Sequence, residues 1–295
     1  MLVLAACRTP VATVEVDAET GTRVRVATFN VRRFFDTVCE SNSCNEDDYE
    51  EQASPTYFDA RAAQLAEAIT LLDADVISLQ EVETKVCLDA LLLRLSDVMP
   101  YGVLGEINTA ASVDVAVLSK TPIDKVTGHR DQNPLDLPDG RVLMFSRELL
   151  EVHVRASDGT AIVMFAAHFK SKSSDDPARR LAEAQVSSRI INALAAAEPS
   201  ALVVLAGDLN DTPDSPPLAA LTVDGGLVRV ADDLQESQQA TYRYAGRGQA
   251  IDHLLISPSS AIWRVPRSSR VWRDATGWGG SDHAALTSEF VFPER

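Results

Sequence analysis

The feature that most constrains the fold is a series of short β-rich runs spread along the whole chain. Apolar residues in these runs alternate with polar ones or follow one another without a break, as they do in strands that are half or fully buried. In the run 23–30, for example, Val24, Val26 and Thr28 alternate with Arg25, Ala27 and Phe29. The runs lie at 23–30, 76–80, 113–119, 148–154, 161–167, 202–207, 251–257 and 285–292.

Helical patterns occupy three of the intervals between these runs. Apolar residues recur on one face in 59–72, in 87–98 and in 177–197, and the last begins with Pro177, which suits the first turn of a helix. Strands outnumber helices and do not alternate with them strictly. We therefore predict one α+β domain with stacked sheets over residues 21–295, preceded by an N-terminal tether over residues 1–20.

The charge of the chain excludes one class of protein. With 27 Lys and Arg against 43 Asp and Glu, the formal net charge is −16. Proteins that hold nucleic acid mainly through a broad cationic surface depend on Lys and Arg to neutralise phosphates, so this chain is not one of them. A metal-dependent enzyme acting on phosphate esters is still compatible, because bound cations can meet the charge of the substrate.

Much of the acidity lies in the stretch 34–60. We interpret this stretch as an acidic insertion, a loop between the first strand and the first helix. Clustered carboxylates also suit a structural Ca²⁺ ion, which is the alternative interpretation. The stretch has no Lys or Arg, and its eight acids are Asp36, Glu40, Glu46, Asp47, Asp48, Glu50, Glu51 and Asp59.

The cysteines bear on the compartment. Leu4-Ala5-Ala6-Cys7 resembles the lipobox of bacterial lipoprotein signals, so Cys7 is a candidate for lipid attachment and residues 1–20 for the remnant of such a signal. Cys39, Cys44 and Cys87 remain. Cys39–Cys44 is the simplest disulfide, with Cys44–Cys87 and Cys39–Cys87 as rivals and three free thiols as the other alternative. These features favour an extracytoplasmic protein.

Polar side chains interrupt the ends of seven apolar runs. Acids directly after apolar strands are costly if they are buried unpaired, so they need metals, hydrogen bonds or solvent. Each alone is a common turn residue, but the ordered set of acids, amides and histidines points to a site. The residues are Asn30, Glu81, Asp114, His168, Asp208, Asn210, Asp252, His253, Asp282 and His283.

This ordered set resembles the endonuclease/exonuclease/phosphatase superfamily, which includes deoxyribonucleases, abasic-site endonucleases, sphingomyelinases and inositol-phosphate 5-phosphatases. The matching motifs run from Phe29-Asn30-Val31 to Ser281-Asp282-His283. The resemblance implies a four-layer αββα sandwich, two stacked mixed β-sheets flanked by helices, with the site at one edge. It also implies a metal-dependent phosphoric ester hydrolase.

The resemblance assigns three residues to the metal. Glu81 matches the principal Mg²⁺ ligand of the family, Asn30 matches a neighbour that helps to hold metal and phosphate, and Asp282 matches a further acid near the metal. Carboxylate and amide oxygens are donors that Mg²⁺ prefers, and Mn²⁺ is the alternative cofactor.

Five residues match the family's catalytic positions. Asp208 matches the residue that orients or deprotonates the attacking water, and Asn210 its partner on the phosphoryl oxygens. His283 matches the histidine on the scissile phosphate, and Asp252 the acid that favours its protonated form. His168 matches the second histidine of the deoxyribonuclease-like branch, a general acid or phosphate ligand.

Four further residues are assigned supporting roles. Arg147 in Phe-Ser-Arg-Glu resembles an arginine that reaches a substrate phosphate in deoxyribonucleases. Lys170 and Lys172 in His-Phe-Lys-Ser-Lys resemble a segment of bacterial secreted nucleases and are expected to bind flanking phosphates. Asp114 is a candidate for orienting His168.

Three functions are compatible with these residues. The favoured one is an extracytoplasmic nuclease that hydrolyses DNA or RNA phosphodiester bonds by in-line attack of water, acting as a monomer. A phosphatase or a sphingomyelinase-like lipid phosphodiesterase is the alternative. Trp272 and Trp278 are candidates for a small membrane-docking hairpin in such an enzyme, and packing of a loop against the core is the other interpretation of these residues. Membrane contact is otherwise expected only through an N-terminal lipid anchor. A non-catalytic binding module is the remote third, because the metal and catalytic residues are all present.

Overall fold

The computed structural model describes residues 21–45, 47–275 and 277–294. In chain order the strands and helices are β1 (Thr22–Phe34), α1 (Pro55–Leu72), β2 (Val76–Val82), α2 (Lys85–Arg94), β3 (Tyr101–Gly105), β4 (Asp114–Ser119), β5 (Ile123–Gly128), β6 (Leu135–Asp136), β7 (Val142–Leu143), β8 (Leu150–Arg155), β9 (Ala161–His168), α3 (Pro177–Ala197), β10 (Leu202–Asp208), α4 (Pro216–Thr222), β11 (Val228–Arg229), β12 (Tyr242–Tyr244), β13 (Arg247–Gln249), β14 (Asp252–Ile256), β15 (Arg270–Trp272) and β16 (Ala285–Phe292).

Two six-stranded mixed sheets form the centre of the molecule. The first sheet has the order β15-β16-β1-β2-β4-β3, and the second has the order β11-β14-β10-β9-β8-β5. In the first, β1 runs parallel to β2, and in the second, β9 runs parallel to β10. Alternate side chains of both sheets, such as Val26 and Val117 facing Met164 and Val204, pack into one apolar core between them.

The helices cover the outer faces of this pair of sheets. Residues of α1 and α2, among them Leu65 and Leu91, pack with Phe29 and Leu79 on the outer face of the first sheet. Residues of α3 and α4, among them Ile191 and Leu218, pack on the outer face of the second sheet. The layers are therefore helix, sheet, sheet, helix, which confirms the predicted four-layer α+β sandwich.

Local signals explain where the helices begin. The hydroxyls of Ser54 and Ser215 and the carboxylate of Asp176 each accept a backbone N–H of the first turn of α1, α4 and α3, and a proline follows each cap. The 177–197 helix agrees with the prediction at both ends. Helix α1 begins four residues earlier than the periodic pattern, because its first turn is held by the cap rather than by core packing.

The eight predicted strands are all present, with ends that differ by a few residues. The strands that the pattern did not predict are short, and several lie at sheet edges: β3, β5, β11 and β15, together with the two-stranded pairs β6-β7 and β12-β13. Edge strands are exposed on one side and carry little of the apolar alternation on which the prediction rests.

The acidic insertion is anchored by its own carboxylates. Cys39 and Cys44 form the disulfide, which excludes the two rival pairings, and Cys87 is a buried free thiol under the loop. The buried Glu50 carboxylate accepts the backbone N–H groups of Glu40 and Ser41 at 2.6 and 2.7 Å. Several of the acids thus organise the loop backbone. A structural Ca²⁺ ion in this stretch stays a prediction.

The predicted tether 1–20, with the lipobox-like segment and Cys7, lies outside the described residues. Within the part of the chain that the structure describes, no helix is long and apolar enough to cross a membrane. The tryptophans considered for membrane docking are packed instead. The indole N–H of Trp272 donates to Thr287 Oγ1, that of Trp278 donates to the Ala68 carbonyl, and the two rings contact each other at 5.6 Å.

Candidate active site

The site lies where the carboxyl ends of the parallel strands of both sheets meet. In the second sheet the register places Asp208, the last residue of β10, opposite His168 of β9 on one side and Asp252 of β14 on the other. Side chains opposite one another on neighbouring strands project to the same face. The second sheet therefore brings one histidine and two acids together at its edge, as the sequence predicted.

Bulges shape the corresponding edge of the first sheet. The register of β1 with β2 shifts after Asn30, and that of β2 with β4 shifts around Glu81. Glu81 has φ of 67°, and Arg32 and Arg33 have φ of 55° and 41°. Such backbone is strained for residues other than glycine, and it occurs where a bulge turns side chains out of the regular pleat. Here it turns Glu81 toward the cleft.

An amide joins the acids of the two sheets. Asn30 Nδ2 donates to Glu81 Oε1 and to Asp208 Oδ2, both at 3.0 Å. The Arg32 N–H donates to Asn30 Oδ1 at 2.9 Å, which orients the amide. Glu81 also accepts the N–H of Arg33 at 2.8 Å. The side chain of Asn30 thus holds two carboxylates at a set separation.

His283 is paired with Asp252 at the floor of the cleft. Its Nδ1 lies 2.9 Å from Asp252 Oδ2, and its Nε2 lies 4.0 Å from Asp208 Oδ2. The ring of Tyr242 packs on the imidazole with centroids 4.7 Å apart. Asp252 therefore fixes the ring orientation and leaves Nε2 directed toward Asp208 and the cleft.

The two histidines of the site have opposite electrostatic surroundings. Burial alone would lower the pKa of His283, but the charge and hydrogen bond of Asp252 raise it well above its usual range. Burial lowers the pKa of His168, and the positive charges of Arg147 and His283 lower it further. At neutral pH, His283 is therefore an imidazolium and His168 a neutral imidazole, so the two are suited to different roles.

Asp208 lies between both histidines, with His168 Nε2 at 3.7 Å. Burial raises its pKa, and the charge of Asp252 raises it further. Asn210, with φ of 53°, donates its N–H to Asp208 Oδ1 at 2.9 Å and its amide to the Phe169 carbonyl at 3.1 Å. A carboxyl with a raised pKa beside a cleft has the property that a general base requires.

The donor set fits a divalent cation. Glu81, His168 and Asp208 each offer a ligand atom, and the three atoms lie within 4.8 Å of one another. Carboxylates with one imidazole suit Mg²⁺, Mn²⁺ or Zn²⁺ in charge and donor type. Of the residues predicted for the metal, Asn30 contacts Glu81 through its nitrogen, and Asp282 lines the cleft 3.6 Å from Arg32 Nε. Their roles toward a metal stay predictions.

A cationic rim borders the cleft, which has a volume of about 1020 Å³. Arg147, Lys170 and Lys172, the residues predicted to bind substrate, all line it, together with Arg179 of α3. Their binding of substrate stays a prediction. Burial and the charges of Arg147 and Arg179 lower the pKa of Lys170. We call Arg147, Lys170 and Arg179 the cationic rim. An anion that binds between these residues would offset their mutual repulsion.

One buried carboxylate positions two members of this rim. Glu183 of α3 is fully buried, and its oxygens accept the backbone N–H groups of Ser146 and Lys170, both at 2.7 Å. The loop that carries Arg147 and the loop that carries Lys170 are thus tied to one side chain. The sequence analysis missed Glu183, because nothing in a helical pattern marks which acid is buried.

Two other predicted residues have partners that limit their reach. Lys172 Nζ forms an ion pair with Asp211 Oδ1 at 2.7 Å. Asp114 accepts hydrogen bonds from Ser112 and from the N–H of Ile107, and burial raises its pKa to about 6. Its Oδ1 has no partner, and no hydrogen bond joins it to His168 among the described residues. The orienting role of Asp114 stays a prediction.

Two residues outside the predicted set also shape the cleft. Tyr49, from the acidic insertion, lines it and lies under the guanidinium of Arg33. Arg61 of α1 is buried and donates to the carbonyls of Val31 and Gly279, both at 2.7 Å. Arg61 therefore ties the bulge after Asn30 to the loop before Asp282. Only the tertiary structure indicates either role.

Solved structures of similar fold cover nearly the whole chain. TDP2 from D. rerio, complexed with a single strand DNA product, is 17% identical, covers 91% of this chain and 98% of its own, and has a TM-score of 0.61. An endonuclease/exonuclease/phosphatase family protein from Bacteroides thetaiotaomicron is 17% identical over 92% and 96%, with a TM-score of 0.61. SmcL is 16% identical over 92% and 99%, with a TM-score of 0.63.

At these identities the likeness establishes the fold. No curated protein sequence matches the chain. The sequence model described as the Endonuclease/Exonuclease/phosphatase family matches residues 27–283, a span that contains all the strand-end residues of the site. Members of this family are metal-dependent phosphoric ester hydrolases. The chain therefore belongs to the endonuclease/exonuclease/phosphatase family.

Proposed function

We propose that this chain is a Mg²⁺-dependent nuclease that hydrolyses DNA or RNA phosphodiester bonds outside the cytoplasm. The observation that carries the proposal is the cationic rim next to the catalytic acids and histidines. In a chain of net charge −16, Arg147, Lys170 and Arg179 converge on one side of the cleft. A substrate with phosphates on both sides of the scissile bond gains from such a rim, whereas an isolated phosphomonoester has no second phosphate to offer.

The residues divide the chemistry as follows. A bound divalent cation, held by Glu81 with Asp208 or His168, would offset negative charge on the phosphoryl oxygens. Asp208 accepts the proton of the attacking water, because its raised pKa makes it a stronger base than an exposed carboxylate. Asn210 donates to a phosphoryl oxygen. His283, kept protonated by Asp252, stabilises the charge of the pentacovalent transition state.

His168 completes the arrangement from the opposite side of Asp208. As a neutral imidazole it either ligates the cation or donates to the leaving oxygen. Water attacks in line with the leaving group, and its proton passes to Asp208. The departing oxygen takes up a proton from solvent, to which Asp208 later returns the one that it accepted. The products are a phosphomonoester end and a free hydroxyl end.

The extracytoplasmic location rests on two features of this chain. The Cys39–Cys44 disulfide favours an oxidising compartment, and the Leu4-Ala5-Ala6-Cys7 segment favours lipid attachment at Cys7. We propose that the anchored or secreted protein acts as a monomer. Metabolic labelling with a fatty acid, and the loss of that label in Cys7→Ser, test the anchor.

A substrate panel tests the activity. Plasmid DNA, a single-stranded oligonucleotide, RNA, sphingomyelin and p-nitrophenyl phosphate are each incubated with Mg²⁺, Mn²⁺ or Ca²⁺, and with EDTA as the metal-free control. We expect cleavage of nucleic acid that needs Mg²⁺ or Mn²⁺ and is lost with EDTA. Cleavage of sphingomyelin or the monoester alone, with nucleic acid intact, would replace the nuclease by the lipid phosphodiesterase or phosphatase.

A further inference from the structure

A small hairpin stands beside the catalytic histidine. Strands β12 and β13 pair with each other alone, and Ala245 and Gly246, with φ of 47° and 78°, form the two-residue turn between them. This is the turn geometry that closes tight hairpins. Tyr242 at its base packs on His283, so the hairpin begins at the floor of the cleft.

The hairpin is held at a set position. Thr241 Oγ1 accepts the N–H groups of Ile251 and Asp252 at 3.2 and 3.1 Å, and the Ala284 N–H donates to the Thr241 carbonyl at 2.7 Å. On one face, a Cβ at Gly248 would lie 2.7 Å from Ala240 Cβ, so this face packs closely on the preceding chain. The other face is left open.

The open face presents aromatic groups to the cleft and carries one arginine. Tyr242, Tyr244 and Gln249 all line it, because residues two apart on a strand share a face. Arg247 lies opposite Tyr244 in the register and so shares that face. Tyr244 is 66% exposed, and no contact with another described residue explains an aromatic side chain at this position.

The charge of the hairpin contrasts with that of the chain. Between Ala240 and Ala250 there are two arginines, Arg243 and Arg247, and no acid, in a protein of net charge −16. An exposed tyrosine beside an arginine is the combination by which proteins stack an unpaired base and pair with a phosphate. A lipid or a phosphomonoester offers no base to stack.

The residue spacing along β12 favours single-stranded over duplex nucleic acid as the ligand of the hairpin. Two residues of a strand span about 6.8 Å, so Tyr244 lies one such step beyond Tyr242. Bases in a duplex follow each other at about 3.4 Å and are already stacked on their neighbours. The ring of Tyr244 needs a free base face, which an unpaired strand can present along its length and a duplex presents only at its ends.

We propose that the hairpin 242–249 holds the unpaired nucleotide adjacent to the scissile phosphate, with Tyr244 stacked on its base and Arg247 paired with the following phosphate. The inference rests on the proposed nuclease function and narrows its substrate to single-stranded nucleic acid. Tyr242, packed on His283, sets the distance between this nucleotide and the reacting phosphate.

The test compares Tyr244→Ala and Tyr244→Trp with Tyr57→Ala, a matched control at an exposed tyrosine of α1 that does not line the cleft. KM and kcat are measured on a single-stranded oligonucleotide, on the duplex of the same sequence, and on an oligonucleotide with abasic sites beside the cleaved bond. Thermal melting checks that each variant is folded.

We expect the wild type to prefer the single strand. In Tyr244→Ala, KM for the single strand should rise at least about fivefold with kcat within about twofold, and Tyr244→Trp should restore it, because stacking persists on any aromatic ring. The abasic substrate should remove the difference between Tyr244→Ala and the wild type. Arg247→Gln should reduce the slope of log KM against log salt concentration by about one, because one phosphate contact is lost.

The experiment distinguishes failure of the proposed function from failure of the hairpin proposal. A wild type that cleaves neither strand form overturns the proposed function, and the hairpin proposal with it. A wild type that cleaves nucleic acid while Tyr244→Ala matches Tyr57→Ala on every substrate overturns only the hairpin proposal. A wild type that cleaves duplex and single strand equally well also overturns it.

Discussion

Two clusters of histidine and carboxylate in this protein use the same side chains to opposite effect. The proposed catalytic cluster, called the catalytic cluster below, is formed by His168, Asp208, Asp252 and His283 and lies at the edge where both sheets end. The outer cluster, formed by Lys125, His129, Glu151 and His153, lies along β5 and β8 on the second sheet. Sequence analysis assigned roles to the first and none to His129 and His153.

The number of hydrogen-bonding partners around each acid distinguishes the two clusters. In the outer cluster, the carboxylate of Glu151 contacts three side chains. Its oxygens lie 2.6 Å from His153 Nε2, 2.9 Å from His129 Nε2 and 3.0 Å from Lys125 Nζ. Burial would raise the pKa of Glu151, but these three partners lower it far below its usual range. The cluster is satisfied and stabilises the charged acid.

In the catalytic cluster two acids share one protonated histidine. Asp252 takes the close contact with His283, and Asp208 is left 4.0 Å away with a raised pKa. Such an acid is held in an unfavourable charge state that a metal or a proton relieves. The two clusters contain the same types of titratable side chain, and the proposed catalytic one is distinguished by an acid whose charge is incompletely compensated.

The largest expected effect separates the clusters directly. His283→Ala should lower kcat for nucleic acid by about 10³-fold, because it removes the charge opposite the transition state. Glu151→Gln should leave kcat within about twofold. Initial rates with saturating Mg²⁺ measure both. Equal losses in the two variants would show that the division between the clusters is wrong.

The next effect concerns the pair within the catalytic cluster. In Asp252→Asn the pKa of His283 should fall, because the largest of the charges that raise it is gone and burial, which lowers it, remains. Because the proposed mechanism uses the protonated form of His283, kcat at neutral pH should drop by about 10²-fold. The alkaline limb of the pH–rate profile should move to lower pH.

NMR titration of His283 in the wild type and in Asp252→Asn provides a check that does not depend on activity. An unchanged titration of the imidazole would contradict the role assigned to Asp252. Recovery of activity in Asp252→Asn at lower pH would support it.

A smaller effect is expected at the cationic rim. Glu183→Gln leaves one acceptor for two backbone N–H groups, so the loops of Arg147 and Lys170 lose part of their anchoring. KM for nucleic acid should rise roughly fivefold, the equivalent of about one hydrogen bond, with kcat little changed. Glu67→Gln, on the exposed side of α1, is the matched control. A fall in kcat without a change in KM would argue for a different role.

Substitution of Glu151 in the outer cluster should have the smallest effect on catalysis. It should change the free energy of unfolding instead. The folded-state pKa of Glu151 lies below its ordinary value of 4.5, so its stabilising contribution is present above that pH and is lost as the pH falls below it. Glu151→Gln should therefore lower the free energy of unfolding by about 1–3 kcal/mol at pH 7. The difference from the wild type should shrink below about pH 4.

Urea unfolding at pH 7 and at pH 3.5 measures this contribution. A deficit in Glu151→Gln that is as large at pH 3.5 as at pH 7 would mean that packing, rather than the charged hydrogen bonds, carries it. Glu67→Gln should change neither value by more than about 0.5 kcal/mol.

Much of the fold was predictable because it depends on local pattern. The buried strands and the helix Pro177–Ala197 follow from apolar periodicity and from the proline at the helix start. The edge strands β5 and β15 were not predicted, because half of each is exposed and carries mixed residues. The disulfide was one of three pairings by sequence, and the folded loop decided it by placing the Cα atoms of Cys39 and Cys44 6.0 Å apart, while Cys87 is free and buried.

The order of polar residues at the strand ends determined, by itself, which chemical groups the protein brings to its site and which family it belongs to. The tertiary structure alone decided their protonation and their partners. Asp252 and His283 are 31 positions apart, and Glu183 lies 37 residues from Ser146. A pKa depends on burial and on charges a few ångströms away, and these distances arise only when the two sheets pack together.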